Sequence, residues 1–200
     1  MVARDKFEYL SAEPGRHYKL NVIHCKDKVF EHYFLRILYL DGQIINMSRT
    51  LDPAEQRYFG IGIYRPKTAE NIGTLWRTAY IYGASFIFVI EAKYNKKSCD
   101  VLKVWSKIPL FQYESTEAFL ETVPYSCKLV GVEMDQRAIP IKEYVHPDRA
   151  VYLLGSEDNG IPKIIKDKCQ DLIVLPGERS LNVAVAGSIV VFDRVNKLGI

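Results

Sequence analysis

The sequence has few of the features that would tie it to a membrane, a secretory route or a phosphate-cradling loop. None of its apolar stretches approaches the roughly 20 residues needed to cross a bilayer. The opening MVARDKFEYLSAEPG has no apolar leader core, so the expectation is a cytoplasmic protein without a membrane partner. Cysteine is sparse and scattered. Cys25, Cys99, Cys127 and Cys169 form no C-x-x-C pair and read as structural thiols of a reducing compartment. His17, His24, Cys25 and His32 stand close together, but their spacing matches no common zinc motif, and no metal is expected. His146, beside Pro147, reads as a surface residue in a turn. There is no G-x-G-x-x-G after a strand and no G-x-x-x-x-G-K-[ST], which argues against Rossmann dinucleotide and P-loop phosphate binding. A G-x-S-x-G elbow, a metal-binding carboxylate cluster, internal repeats and low-complexity tracts are also missing.

What is present fits one α/β domain. At 200 residues, 48% hydrophobic and 26% charged, the chain can bury a proper core. The net charge of +3 suggests a polyanionic partner only weakly. Basic residues crowd two places: Arg16, His17, Lys19, Lys26 and Lys28 near the start, and Lys93, Lys96, Lys97, Lys103 and Lys107 further on. Such patches are usually solvated faces. With Tyr94 and Trp105 interleaved, the second also reads as an RNA-facing loop.

Residues 1–57 form an extension whose pattern is hard to read. Asp41-Gly42, between LRILYL and QIINM, predicts a hairpin. From residue 58 to 200 the order becomes regular. FGIGIYR is a buried strand ended by Pro66. Thr68 caps a helix running to about Tyr82, with Gly83 as its stop. SFIFVIE, IPLFQYE, CKLVGVEM, AVYLLGSE and DLIVLP are five further strands. STEAFLETV and PKIIKDKC are helical, the second opened by Pro162. SLNVAVAGSIVVFDRVNK is too long for a strand and reads as a helix capped at Ser180. Being apolar nearly all round, it is central or lies in a subunit interface, and Ala184, Ala186 and Gly187 would let another backbone approach. Strands alternating with helices predict a mostly parallel sheet with helices on both faces.

Three polar clusters follow buried strands: Asn71 and Arg77 in NIGTLWRTAY, Gly155 to Asn159 in LLGSEDNGIP, and Pro176 to Asn182 in LPGERSLNVAVA. Ligands of open α/β sheets bind at the carboxyl ends of the strands, so one cleft would collect all three.

These segments, in this order, resemble the three motifs of the SpoU/TrmH family within the SPOUT class of methyltransferases. The resemblance runs from about Tyr58 to Lys197 and includes an intact Ser-Leu-Asn-Val core, Ser180 to Val183. It implies a deep C-terminal trefoil knot, an exception to the rule against knotted chains. It also implies S-adenosyl-L-methionine as cofactor, a homodimer, and methylation of a ribose 2′-hydroxyl in tRNA or rRNA. By resemblance, Leu154, Gly155, Leu175, Gly177 and Leu181 hold the cofactor, and Arg77 activates the ribose.

The chemistry agrees. A 2′-hydroxyl is a poor nucleophile until negative charge on its oxygen is stabilised, and the reacting atoms must be held in line. An arginine suits this as a fork-shaped cation and is a poor base at neutral pH. Asn71 would orient Arg77 or the ribose, Glu157 would fix the loop or contact substrate, Asn182 would hold the loops, and Ser180 completes the candidate catalytic set. Each has a plainer reading: Asn71 as a residue of a helix's first turn, Glu157 as a loop-stabilising carboxylate, Ser180 as an N-cap. Glu178 and Arg179, just before Ser180, depart from the family pattern. Two other functions stay open at this point: a knotted enzyme methylating an RNA base, and a non-catalytic RNA-binding module of the same fold.

Overall fold

The computed structural model describes residues 57–94, 102–124 and 126–199 in full, and residues 19–23, 35–40 and 43–45 as backbone. The chain divides into two compact units, 1–51 and 52–200. In the first, strands β1 (Lys19–Ile23), β2 (Leu35–Leu40) and β3 (Gln43–Ile45) form an antiparallel sheet in that order. Leu40 pairs with Gln43, so the hairpin expected around Asp41-Gly42 is present. The candidate zinc residues, Cys99, Lys96 and Lys97 lie outside the described residues.

The second unit is built on a seven-stranded sheet. Its strands are β4 (Tyr58–Tyr64), β5 (Phe86–Ile90), β6 (Leu110–Tyr113), β7 (Lys128–Val132), β8 (Ile139–Pro140), β9 (Arg149–Leu154) and β10 (Asp171–Val174). They lie in the order β6-β5-β4-β9-β7-β10-β8, and every pairing is parallel. Six of these are the expected strands. The seventh, β8, is two residues long, too short for any periodicity to betray.

Both faces of the sheet are covered, and β5 shows why its sequence is apolar throughout. Ile87 and Val89 point into one core, while Phe86, Phe88 and Ile90 point into the other. On the first face pack helices α1 (Ala69–Ile81) and α4 (Val183–Leu198), through Leu75, Trp76, Ala79, Val190 and Val191. On the second lie the short helices α2 (Thr116–Leu120) and α3 (Lys163–Lys166), through Phe119 and Ile165. Gly60 and Gly62 are room for rings: a Cβ on Gly60 would sit 2.1 Å from the Phe86 ring, and one on Gly62 would sit 2.4 Å from that of Phe88.

Helix ends follow the local chemistry. The Thr68 side chain accepts from the Asn71 N–H at the start of α1, and the left-handed Gly83 follows its end. Ser115 caps α2 through the Ala118 N–H. One expectation is corrected at α4. Its cap is Asn182, which accepts from the N–H groups of Ala184 and Val185, and Ser180 stands two residues before that cap. Within α4 the small Gly187 admits a neighbour. A Cβ there would lie 2.4 Å from Leu75 Cδ1, so α1 and α4 pack closely at this point.

Two further expectations fail. His146 is a core residue, 3% exposed, with one ring nitrogen 2.6 Å from the Tyr152 hydroxyl and the other 2.9 Å from Asp193 Oδ2. Its position beside Pro147 suggested a surface turn, but the helix that covers it comes from far along the chain. Tyr94 is also buried, its ring 4.5 Å from that of Trp76, and Trp105 packs against the same core. Burial withdraws the Tyr94 ring from the RNA-facing loop expected around Lys93 to Lys107, while Trp105 keeps part of its surface exposed. Trp76 is likewise core.

Candidate active site

Because all strands of the sheet run parallel, their carboxyl ends share one edge, and a cavity of about 290 Å³ lies there. That volume sits near the lower end of small-molecule sites, roughly 300–1,000 Å³. Three exits build it. The chain leaving β7 contributes Val132, Glu133 and Met134. The turn after β9 contributes Leu154 to Glu157 and Gly160. The loop after β10 contributes Leu175, Pro176 and Arg179 to Val183, and Ala186 on α4 closes the wall.

The turn after β9 is tight. Ser156 and Gly160 exchange main-chain hydrogen bonds, and the Ser156 Oγ accepts from the Asn159 N–H at 3.2 Å. A Cβ on Gly155 would lie 2.3 Å from the carbonyl carbon of Gly160, so only glycine lets the turn close on itself. Bare backbone therefore faces the cavity, with apolar side chains around it. Leu181 is 44% exposed and Met134 is 51% exposed, both at the cavity wall.

Side chains from the three sequence segments meet beside this cavity. Asn182 donates from Nδ2 to Asn71 Oδ1 at 2.9 Å. Asn71 donates from Nδ2 to Glu157 Oε1 at 2.8 Å. The other Glu157 oxygen accepts from the Lys67 N–H at 3.2 Å. Lys67 also donates from Nζ to Asp158 at 2.7 Å, and this bond raises the lysine's pKa. Thr68 supplies the cap of α1, and the Asn71 side chain bonds Glu157 and Asn182 instead. It couples α1 to the other two segments.

Of the ten residues singled out from sequence, Leu154, Gly155, Glu157, Leu175, Ser180, Leu181 and Asn182 line the cavity. Asn71 reaches it through Glu157 and Asn182. Gly177 does not line it; this residue has φ +147° in the loop after β10. Arg77 does not line it either. It stands exposed on α1 and, among the described residues, makes no hydrogen bond or ion pair. The third exit was missed. Glu133 and Met134 follow a buried parallel strand, the signal that marked the other segments, yet carry no motif.

The exit from β7 is braced. Asp135 accepts from Arg137 Nε at 3.1 Å and from Lys166 Nζ on α3 at 3.2 Å. These bonds, with the Arg137 N–H, hold its carboxyl well below the usual carboxylate range. The loop that carries Glu133 and Met134 is tied to α3 in this way.

Comparison with known proteins agrees with the geometry. Residues 59–192, more than half of the chain, match the model of the SpoU rRNA Methylase family. The tRNA (cytidine(34)-2′-O)-methyltransferase of Ancylobacter novellus is 26% identical over 149 residues, which are 70% of this chain and 92% of that protein. The 23S rRNA (guanosine-2′-O-)-methyltransferase RlmB of Acinetobacter baylyi is 25% identical over 133 residues, 62% of this chain and 54% of that one. The SpoU methyltransferase AviRb of Streptomyces viridochromogenes, crystallised with the cofactor AdoMet, superposes with a TM-score of 0.63 at 22% identity. That superposition covers 71% of this chain and 61% of AviRb. This chain therefore spans little more than half of the Acinetobacter and Streptomyces proteins. With the family match extending from β4 into α4, across every element that builds the cavity, the chain belongs to the SpoU rRNA Methylase family.

Proposed function

We propose that this protein transfers the methyl group of S-adenosylmethionine to a ribose 2′-hydroxyl of tRNA or rRNA, acting as a homodimer. The observation that carries the reading is the Asn182–Asn71–Glu157 chain of hydrogen bonds, which couples the helix bearing Arg77 to the wall of the cavity. The names of the similar enzymes, which methylate ribose in tRNA and rRNA, point the same way.

The residues present fit the cofactor. Leu154, Leu175 and Leu181 offer an apolar slot for a flat base. The Gly155–Gly160 turn offers backbone at close range, and the Glu133 carboxylate suits a cationic ligand. When bound there, S-adenosylmethionine supplies a methyl group activated on sulfonium. The protein's part is to hold the ribose oxygen in line with that methyl carbon and to stabilise charge on the oxygen. We assign the second task to Arg77, whose guanidinium has no partner to give up among the described residues. Asn71 and Asn182 keep the start of α1 in register with the cavity.

The dimer is assigned to α4. Val185, Ile189 and Phe192 recur at helical spacing and stand exposed, and Tyr82 and Ile81 at the end of α1 extend the patch. Arg77, one turn before Ile81, falls at the border of that surface. The deep trefoil knot belongs to the same proposal, since the loops after β9 and β10 lie together around one cavity. So does the division into an N-terminal extension (1–57) with a share in RNA contact and a catalytic domain (58–200). We assign the cytoplasm as its compartment; among the described residues no helix is long and apolar enough to cross a membrane.

The test is nucleoside analysis. RNA from cells lacking the gene, incubated with the protein and methyl-labelled S-adenosylmethionine, should yield 2′-O-methylated nucleosides. Label confined to bases would overturn the ribose assignment. Failure to bind S-adenosylmethionine in calorimetry would overturn the enzyme reading altogether.

A further inference from the structure

The cavity carries a charge that methyl transfer alone does not require. Among the described residues, Glu133, Glu157 and Arg179 are the charged ones that line it. Arg179 is exposed, and Glu157 is exposed and engaged with Lys67 and Asn71. Glu133 is different. It is half-buried at the exit of β7, and its carboxylate accepts from the Ile161 N–H at 2.6 Å and from the Met134 N–H at 3.0 Å. Among the described residues no cation pairs with it. The fit against the neighbouring turn is close: a Cβ on Gly160 would lie 2.3 Å from Glu133 Oε2. Two neutral main-chain donors therefore fix the side chain in place without cancelling its charge.

We propose that Glu133 gives the cavity a preference by charge, favouring the sulfonium cofactor over its demethylated thioether product. This rests on the methyltransferase reading above. S-adenosylmethionine and S-adenosylhomocysteine share the adenosine and the amino-acid part and differ by one methyl group and one positive charge. An apolar slot meets the two almost equally. A fixed carboxylate in a cavity partly shielded from water separates them, because Coulomb energies there are several times those in bulk water. The consequence is easier release of product after each turnover.

Calorimetry on the full chain tests this with three probes: S-adenosylmethionine, S-adenosylhomocysteine and sinefungin, which carries an ammonium group in place of the methylated sulfonium. Glu133→Gln keeps an acceptor for the Ile161 N–H and removes the charge. Both cationic probes should weaken about fivefold or more, and S-adenosylhomocysteine less than about twofold. Glu133→Asp, which restores the charge, should bring back most of the difference. Equal weakening of all three probes, or of none, overturns the proposal, because Glu133 would then act through shape or not at all. Should the variants fail to fold, the wild type decides: sinefungin must bind more tightly than S-adenosylhomocysteine, and the reverse order overturns the proposal. If the wild type binds none of the three, the methyltransferase reading falls first and takes this inference with it.

Discussion

Asn182 reaches back 111 residues to donate a hydrogen bond to Asn71 at 2.9 Å, while its own carbonyl oxygen caps α4. One side chain thus holds the start of a helix with one end and a second helix with the other. The two functions separate by substitution. Asn182→Asp keeps the capping oxygen and loses the donor. It should melt close to the wild type and lose about tenfold or more in methyl transfer, as expected when reacting groups are misplaced. Asn182→Ala loses both and should cost about 1 kcal/mol of stability as well. Melting curves and single-turnover rates on the same preparations distinguish the two. Full activity in the aspartate variant would show that the bond to Asn71 is dispensable.

Arg77 stands apart from the cavity proposed to hold the cofactor, which sharpens what its removal should do. Arg77→Ala should lower methyl transfer by about 100-fold or more, the scale of losing a preorganised charge-stabilising donor. The dissociation constant for S-adenosylmethionine should stay within about twofold, because no cavity wall is touched. Arg77→Lys should recover little, since an ammonium group cannot make a bidentate contact. Calorimetry and turnover on RNA give the two quantities; joint loss of binding and turnover would place Arg77 in the cofactor site.

Much of this architecture was legible in the sequence because burial on both faces leaves a plain mark. Strands such as FIFVI and AVYLL are apolar at every position and end in polar turns, so their existence and order could be read. The residues after them were legible through their motifs, and seven of the ten chosen line one cavity. What stayed hidden depends on distant partners. His146 is buried by Tyr152 and by Asp193 of α4, contacts that no local pattern records. Arg194 is fully buried in an apolar helix because its guanidinium donates to the carbonyls of Pro147 and Asp148 and lies over the Phe59 ring. Glu133 was invisible for a similar reason: its bond to Ile161 joins positions 28 residues apart.

The exposed apolar stripe on α4 predicts an assembly. Val185 is 46% exposed and Phe192 is 56% exposed, two turns apart on one side of the helix. A charge at the centre of such a patch is costly to bury unpaired. Ile189→Glu should therefore convert the proposed dimer to a monomer, seen by sedimentation or light scattering. Methyl transfer should fall with it. The hydrogen bond between Ser188 and Thr78, on the inner side of the helix, should keep α4 seated on α1. A wild-type protein that sediments as a monomer at working concentration would remove the argument.

His146 makes stability depend on pH in a defined direction. Burial pushes its pKa below the ordinary 6.5, opposed by the hydrogen bond and charge of Asp193 and assisted by the positive charges of Arg194 and Lys197. The folded state thus binds the His146 proton less readily than the unfolded chain does. Stability rises with pH wherever the unfolded state binds more protons. The contribution is accordingly intact above about pH 6.5 and is lost as pH falls from there towards the lowered folded value. This window lies above the range in which most carboxylates titrate, so the two effects can be told apart. Melting temperature measured from pH 8 down to about pH 5 should decline from near 6.5 in the wild type. In His146→Asn, which keeps a hydrogen-bonding side chain but cannot titrate, the same stretch should be flatter. A wild-type curve as flat as that of the variant would mean that His146 binds its proton equally readily in both states and contributes nothing to the pH dependence.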